Sequence, residues 1–492
     1  MKSIGQIVKR KEPWIAKVIT LAFLGYIAFA ICMQSTTNIW YDGDCSGDSA
    51  IFRYMAYAAS RGQIWYKDVF DHKGPLIFFL NYIGMMISFW RGIWVVELVF
   101  MVGTIFAAYK TARLICNRWM SCCCVLVVAT TIFQYFEAGN FTEEYAMIFI
   151  MIAIYIFLDY FLNQKINGIR LVVCGFCFGG ILLLRPNMGG VWFVFCIAVL
   201  IQKIYQKRLL ECLKFLGLFL LGCIIFIIPF VVYLIHVDAL QECIYAAFTF
   251  NFMYSEDGTL IKTLEYMTNI FKEPIMMASI IAMGYQIAKS TKRGFHITYL
   301  ICAMVCVYLA YMSGRGYGHY AMAIIPLYIY PIATLFQLSK EIFSTKNVYF
   351  IVLYYFVVVL SLPTWLDATY HIADCYVNRD GRDQSLQTVI DVIQENSTED
   401  EKISVVGNRS IIYLLSKRLS VSKYAHQYPI AMISDEIWNE YLAELEETPP
   451  VLIVMVEYEE LNKRVEPFIE EYDYELIYEN QEQCHKVYKL IR

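Results

Sequence analysis

The stretch LKFLGLFLLGCIIFIIPFVVYLI, from Leu213 to Ile235, is apolar almost throughout and carries a single charge, at Lys214. A helix needs about 20 apolar residues to cross about 30 Å of hydrocarbon. Because lipid offers the backbone no hydrogen-bond partners, such a run is predicted to be a helix. The whole chain follows this pattern, since 59% of its 492 residues are hydrophobic and 17% are charged. We therefore predict a polytopic α-helical membrane protein whose main surroundings are the lipid bilayer.

Ten further stretches are apolar enough to count as membrane spans, so the chain is predicted to have about eleven transmembrane helices. They are Ile15 to Gln34, Gly92 to Ala112, Met120 to Phe136, Tyr145 to Leu162, Ile169 to Leu184, Met188 to Ile204, Pro274 to Ala288, His296 to Met312, His319 to Gln337 and Asn347 to Leu362. One more segment, Pro75 to Trp90, is shorter. Its residues, about 16 at 1.5 Å each, reach only about 24 Å, less than the hydrocarbon thickness.

The basic residues indicate the direction of crossing, because Lys and Arg accumulate in short cytoplasmic loops. If Pro75 to Trp90 crossed the bilayer, clusters around Arg113, Lys203 and Lys289 would lie outside, against this rule. If that segment dips into the outer surface instead, these clusters are cytoplasmic together with Lys9 to Lys11. We therefore predict a multi-pass cell-membrane protein with a cytoplasmic N-terminus, a retained N-terminal anchor and an extracytoplasmic C-terminus.

Charge and cysteine usage argue against three other kinds of protein. The net charge is -4, and the basic residues stand in short clusters between apolar runs, so no nucleic-acid partner is expected. Most of the 16 cysteines lie inside apolar runs, where a thiol behaves as a small hydrophobic group. Since no paired spacing falls on a polar segment, neither a disulfide framework nor a zinc site is predicted.

From about Asp367 onward the sequence becomes charged and periodic, which predicts a small extracytoplasmic α/β domain. The expected division is a membrane domain over residues 1–365, with a large first outer loop at 35–91, and a C-terminal domain over 366–492. Strands are predicted at Ile403 to Val406, Val451 to Val456 and Lys486 to Leu490, and helices at Asp383 to Glu395 and Asp435 to Leu445.

The first outer loop contains SGDSAIFRYMAYAASRGQIWYKDVFDHKGPLIFF, residues 46–79, and its first candidate functional residue is Asp48. Asp48 opens an amphipathic helix in which Ile51, Met55 and Ala58 share one face, as in a helix on a membrane surface. The simpler interpretation is that Asp48 only caps the helix, because a carboxylate there accepts backbone N–H bonds. The two roles do not exclude each other.

At the other end of this loop, Lys73 stands directly before a helix that starts at Pro75. A lysine and the N–H groups of a helix start can bind a phosphate at the membrane surface. The alternative is a lysine that extends its ammonium to the interface beside anionic lipid.

Two more outer segments carry candidate residues. The loop EAGNFTEEYAMIF, residues 137–149, brings Glu137, Glu143 and Glu144 to the end of one span and the start of the next, where they either orient a sugar or bind a cation, or simply face water at a helix start. The segment GRGYGHYAMAIIP, residues 314–326, carries Arg315, His319 and Tyr320. With Arg185 and Lys73, these residues are predicted to surround a carboxylate as a clamp for phosphate or pyrophosphate. The alternative is interfacial anchoring of Arg and Tyr side chains.

These features resemble the GT-C glycosyltransferases, in particular the branch of the protein O-mannosyltransferases and the aminoarabinose transferases of lipid A. The resemblance covers roughly the first 365 residues. It is strongest in the first loop, where Asp48, Gly62, the pair Trp65 and Tyr66, and then Lys73-Gly74-Pro75 follow the order of the family. The resemblance implies a GT-C-like membrane domain.

By the same resemblance, Asp48 is expected to be the catalytic base, Lys73 a ligand of the donor phosphate, and Glu143 or Glu144 the second acidic position. Two positions depart from the family. The mannosyltransferases carry an Asp-Glu pair where this chain has Asp48-Ser49, so mannose is not implied as the sugar. His72 stands where the aminoarabinose enzymes carry a Glu associated with a metal. No cofactor is therefore certain, and a divalent cation held by His72 and Asp71 is left open.

The function predicted from these observations is transfer of a sugar from a polyprenyl-phosphate donor to an extracytoplasmic glycan, lipid or protein, with inversion. A transporter or flippase of lipid-linked intermediates is the alternative. It usually needs ionisable groups near the midplane, whereas Glu97, the deepest here, lies within a turn or two of the outer surface. A receptor or scaffold that uses the C-terminal domain is a third class.

Overall fold

The computed structural model describes residues 13–41, 45, 47–254, 259–342, 351, 355–378, 384–456, 458–480 and 485–491. Most of them are helical. The α-helices are Trp14–Cys32, Gly47–Ser60, Pro75–Ile87, Gly92–Ala112, Arg118–Tyr135, Thr142–Asn163, Gly168–Leu184, Gly190–Tyr205, Leu209–His236, Leu240–Ile244, Phe250–Met253, Thr259–Lys272, Pro274–Lys289, Arg293–Tyr311, Ile329–Ile342, Leu362–Asn378, Gln384–Asn396, Ile411–Ser416, Asp435–Glu447 and Glu459–Glu471.

Eight helices in the described part of the chain are long and apolar enough to cross a membrane. They are Trp14–Cys32, Gly92–Ala112, Arg118–Tyr135, Thr142–Asn163, Pro186–Tyr205, Leu209–His236, Arg293–Tyr311 and Tyr355–Asn378. The predicted polytopic helical protein is thus confirmed, while the number of about eleven spans stays a prediction. Residues 347–350 and 352–354 of the predicted run Asn347 to Leu362, and the Lys9 to Lys11 cluster, lie outside the described residues. Helix Pro75–Ile87 has 13 residues and rises about 20 Å, too short to cross.

Helix Leu209–His236 presents a wide apolar surface that no other part of the described chain covers. Leu210, Leu213, Ile225 and Val232 are all exposed. Such a surface is stable when hydrocarbon surrounds it, and its backbone groups are bonded within the helix. The exposure therefore agrees with a helix that faces lipid.

Glycines bring helix Gly168–Leu184 and helix Leu209–His236 close together. A Cβ atom on Gly175 would overlap the backbone oxygen of Phe219, and one on Gly222 would overlap that of Val172. Small residues at such contacts let membrane helices gain van der Waals packing without a hydrophobic driving force.

The chain forms two compact units, each built from three stretches of sequence. The first unit comprises Met1–Ser35, Trp94–Pro229 and Ser255–Tyr376. The second comprises Thr36–Ile93, Phe230–Tyr254 and Val377–Arg492, so it unites the first loop with the C-terminal residues.

The second unit contains a four-stranded sheet of β1 (Ser404–Val406), β2 (Leu452–Met455), β3 (Tyr474–Asn480) and β4 (His485–Leu490), in the order β1-β2-β4-β3. Strands β1 and β2 are parallel, and the other two pairs are antiparallel. Because β1 and β2 are buried along their whole length, they read as continuous apolar runs. The small C-terminal α/β domain is confirmed, including the predicted positions of β1, β2 and β4.

Helix Gly47–Ser60 is buried more completely than its amphipathic pattern predicts. Every residue from Ser49 to Ala58 is buried, because the helix packs against Pro75–Ile87 and against Ile411–Ser416. The Tyr54 hydroxyl accepts a hydrogen bond from the backbone N–H of Ser420 at 2.8 Å. The predicted amphipathic helix with one apolar face on a membrane surface is therefore wrong: this is a core helix of the second unit.

Candidate functional site

Arg185 and Glu143, both predicted site residues, form a buried ion pair in the first unit. The guanidinium Nη1 donates to Glu143 Oε1, and the Glu143 side chain is only 3% exposed. The hydroxyl of Thr142 donates to the other carboxylate oxygen at 2.7 Å. The guanidinium also lies 4.3 Å from the ring centroid of Tyr320, a cation–π contact. Arg185 thus contacts both Glu143 and Tyr320, and the role of these three residues in one site stays a prediction.

His319 lies beside this group and is held by Glu137. Its backbone N–H donates to Glu137 Oε1 at 3.0 Å, and its Nδ1 atom lies 3.1 Å from Oε2. The imidazole stacks on Phe141 at 4.2 Å between centroids. Burial alone would raise the pKa of the Glu137 carboxyl, but hydrogen bonds from His319 outweigh it and lower that pKa. Glu137 is therefore an ionised carboxylate that fixes the orientation of the His319 imidazole.

Glu144, next to Glu143 in sequence, has quite different surroundings. The backbone N–H of Asn140 donates both to Glu144 Oε2 at 2.8 Å and to Glu97 Oε1 at 2.7 Å. Both glutamates are almost fully buried. Ser35 donates its hydroxyl to Glu97 at 3.0 Å. Glu144 therefore shares a donor with a second carboxylate, whereas Glu143 is neutralised by a cation.

Gly139 makes this turn possible. Its φ of +76° lies in the region that glycine adopts without strain. A Cβ atom there would overlap the Ser35 hydroxyl and approach Glu97 Oε1 at 2.7 Å. The glycine lets the Asn140 N–H reach the two carboxylates.

In the second unit, the backbone around Lys73 is held on both sides. Its N–H donates to Asp71 Oδ1 at 2.8 Å, and its carbonyl accepts from the Tyr66 hydroxyl at 2.8 Å. The ammonium lies 2.7 Å from His72 Nε2. Asn251 donates to the carbonyl of His72 at 2.9 Å. Lys73 itself is half-buried and stands directly before helix Pro75–Ile87.

Asp71 has a partner that sequence reasoning missed, His426. Its Nε2 atom lies 3.4 Å from Asp71 Oδ2, and the two side chains are 3% and 2% exposed. Burial alone would raise the pKa of Asp71, but the hydrogen bond of His426 and the nearby positive charge of Lys73 hold that pKa below its usual range. No sequence signal joins these residues, because they belong to distant segments.

These contacts do not fit the divalent cation that was left open for His72 and Asp71. Both oxygens of Asp71 already have partners, and His72 Nε2 faces the positive charge of Lys73. Among the described residues, no group of three or more His, Cys, Asp or Glu is arranged to hold a metal. Because the Lys73 ammonium already places a positive charge in this loop, the loop favours an anion over a metal cation.

The structure gives the positions of Asp48 and Arg315, two predicted site residues, but not their roles. Asp48 is half-buried in the first turn of helix Gly47–Ser60, where the helix dipole favours a carboxylate. Arg315 is half-buried in the loop before Gly318. Their catalytic and binding roles stay predictions.

Comparisons with known proteins agree with this architecture. The family model "Dolichyl-phosphate-mannose-protein mannosyltransferase" matches residues 72–233, a segment that includes Lys73, Glu143 and Arg185 and begins after Asp48. No curated protein sequence matches the chain.

Two solved structures are similar in fold. ArnT from Cupriavidus metallidurans bound to undecaprenyl phosphate gives a TM-score of 0.61 at 11% identity, covering 96% of this chain and 97% of that one. The archaeal oligosaccharyltransferase AglB from Archaeoglobus fulgidus, in complex with an inhibitory peptide and a dolichol-phosphate, gives 0.50 at 11% identity, covering 98% and 75%. The chain is thus similar to the mannosyltransferase family model over residues 72–233 and shares its overall fold with ArnT.

Proposed function

We propose that this enzyme transfers a sugar from a polyprenyl-phosphate donor to an extracytoplasmic glycan, lipid or protein, with inversion at the anomeric carbon. The bound undecaprenyl phosphate of ArnT, whose length this chain matches almost fully, supports a donor of this class. The extracytoplasmic position of the C-terminal domain belongs to the same proposal and is supported by the distribution of Lys and Arg.

The observation that carries the proposal is the environment of Lys73. Gly74, the N-cap of helix Pro75–Ile87, offers no side chain to the helix start, so the first-turn N–H groups are not occupied by a capping side chain. A helix N-terminus with an adjacent ammonium attracts a phosphate. Of the three N–H donors of the Lys73 ammonium, one is directed at His72, and two remain for an anion.

In the proposed reaction, the acceptor hydroxyl oxygen attacks the anomeric carbon and its proton passes to the Asp48 carboxylate. The bond from that carbon to the phosphate oxygen breaks, and its electron pair leaves with the polyprenyl phosphate. Lys73 stabilises the charge that develops on this phosphate. Arg185, Arg315, His319 and Tyr320 are proposed as further donor contacts, with Glu143 and Glu144 in supporting roles.

The test of the proposed function is Asp48→Asn, assayed with purified enzyme and a radiolabelled polyprenyl-phosphate sugar. The amide cannot accept the proton, so transfer is expected to fall by about 100-fold or more while the protein stays folded. The matched control is Asp238→Asn, since Asp238 is a fully exposed aspartate paired with Lys67. Near-normal turnover of Asp48→Asn, with Asp238→Asn equally active, contradicts the assignment of the base.

A further inference from the structure

We infer that His426, a residue of the C-terminal domain, is a positioning residue for the donor phosphate: it holds Asp71, and Asp71 holds the backbone of Lys73. The inference rests on the proposed function, because it assigns the C-terminal domain a part in the same site. All the residues involved belong to the second unit.

The chain of contacts is continuous and buried. His426 Nε2 lies 3.4 Å from Asp71 Oδ2, and Asp71 Oδ1 accepts the N–H of Lys73 at 2.8 Å. A buried carboxylate is stable only where its oxygens are paired. Without His426, one oxygen of Asp71 would lose its partner, and the carboxylate would turn toward water or another donor. The N–H of Lys73 would then lose the acceptor that sets its direction.

The segment that carries His426 is itself firmly held by the C-terminal domain. The Gln427 side-chain oxygen accepts the backbone N–H of Gly407 at 2.7 Å, and the backbone N–H of Gln427 donates to the carbonyl of Gly407 at 2.9 Å. Gln427 is fully buried. Further back, Glu444 accepts the N–H of Lys423 at 3.0 Å, and Glu440 accepts the Tyr424 hydroxyl at 2.6 Å. His426 therefore sits on a rigid support, as a positioning group requires.

The same segment reaches the first loop at a second point. The N–H of Phe70, the residue before Asp71, donates to the carbonyl of Lys423 at 2.8 Å. Its ring lies 5.3 Å from that of Tyr424 and 5.5 Å from that of Phe250. Backbone and side-chain contacts thus fix two successive loop residues against the C-terminal domain. The C-terminal domain therefore helps to set the conformation of the Lys73 loop.

The test is His426→Ala in the full-length protein, assayed for transfer and for binding of undecaprenyl phosphate. We expect the KM for the polyprenyl-phosphate sugar and the Kd for undecaprenyl phosphate to rise by about tenfold, with a smaller change in kcat. His426→Gln keeps an N–H donor for Asp71 and is expected to recover most of the affinity. The matched control is His485→Ala, because His485 is another buried histidine of this domain.

Hydrogen exchange of the Lys73 amide gives a readout that does not depend on activity. Exchange is expected to be faster in His426→Ala than in the wild type and in His485→Ala, since the acceptor Asp71 becomes mobile. If His426→Ala does not fold, Asp71→Asn replaces it as the perturbed variant, and His426→Gln serves as the variant expected to behave like the wild type.

The outcomes separate the two proposals. Unchanged exchange and unchanged phosphate affinity in His426→Ala overturn the positioning role, even if the enzyme transfers sugar. If the wild type transfers no lipid-linked sugar but His426→Ala exchanges faster and binds undecaprenyl phosphate more weakly, the proposed function fails and the positioning role stands.

Discussion

Glu143 and Glu144 are adjacent in sequence, yet their replacement by Gln is expected to have very different effects on stability. Glu143→Gln removes the negative charge that neutralises the buried guanidinium of Arg185, whose side chain is 15% exposed. Breaking a buried pair by removing one partner costs about 3–5 kcal/mol. Because the Tyr320 ring still contacts the guanidinium and some water reaches it, we expect the lower end, about 3 kcal/mol.

Glu144→Gln should cost about 1 kcal/mol or less, or even stabilise the protein. The amide oxygen can still accept the Asn140 N–H, and the change removes a carboxyl group that shares this donor with Glu97. The assay is thermal unfolding of both variants in the same detergent, with an unfolding midpoint expected to fall by several degrees for Glu143→Gln only.

A double variant strengthens this comparison. Adding Arg185→Gln to Glu143→Gln removes the unpaired charge, so part of the lost stability should return. Equal destabilisation by Glu143→Gln and Glu144→Gln would refute the reasoning, as would further loss in the double variant.

The remaining predictions concern the Lys73 loop. Lys73→Ala is expected to weaken binding of undecaprenyl phosphate by about tenfold or more. The control is Lys67→Ala, which removes an exposed lysine of the same loop. Equal affinities of the two variants would contradict a phosphate contact of Lys73. Because the folded-state pKa of Asp71 is depressed, its contribution to stability is fully present above its unfolded pKa, near 4, and is lost as the pH falls toward the folded value. The stability difference between the wild type and Asp71→Asn should therefore shrink below about pH 4 in unfolding measurements, and a difference independent of pH would disprove the linkage.

Many helices and strands were predictable because the sequence patterns that indicate them involve only neighbouring residues. A backbone surrounded by lipid bonds within its own segment, so the apolar runs Gly92 to Ala112 and Leu213 to Ile235 indicate their helices directly. Strands β1 and β2 are short and fully buried, which makes them visible as apolar runs. Strand β3 was missed because it is mostly exposed and polar along its length.

The candidate site was predictable in membership more than in arrangement. Glu143, Arg185 and Tyr320 were each named from the sequence, and in the structure Arg185 contacts the other two, while their role as a site stays a prediction. Sequence did not distinguish Glu143 from Glu144, because successive helix residues point in different directions and their partners come from other helices. The burial of helix Gly47–Ser60 was likewise underestimated, since its second contact comes from Ile411–Ser416, far along the chain.

Hydropathy and periodicity are properties of neighbouring residues, so the amino-acid sequence alone predicts a membrane protein whose polar residues gather in a few loops and whose C-terminal residues form a small α/β domain. The partners of the buried charged and polar side chains, by contrast, are set by the tertiary fold. The pairing of Asp71 with His426, and of Asn140 with two carboxylates, depends on where distant segments return to each other. Buried polar groups must find partners there, and no local pattern specifies them.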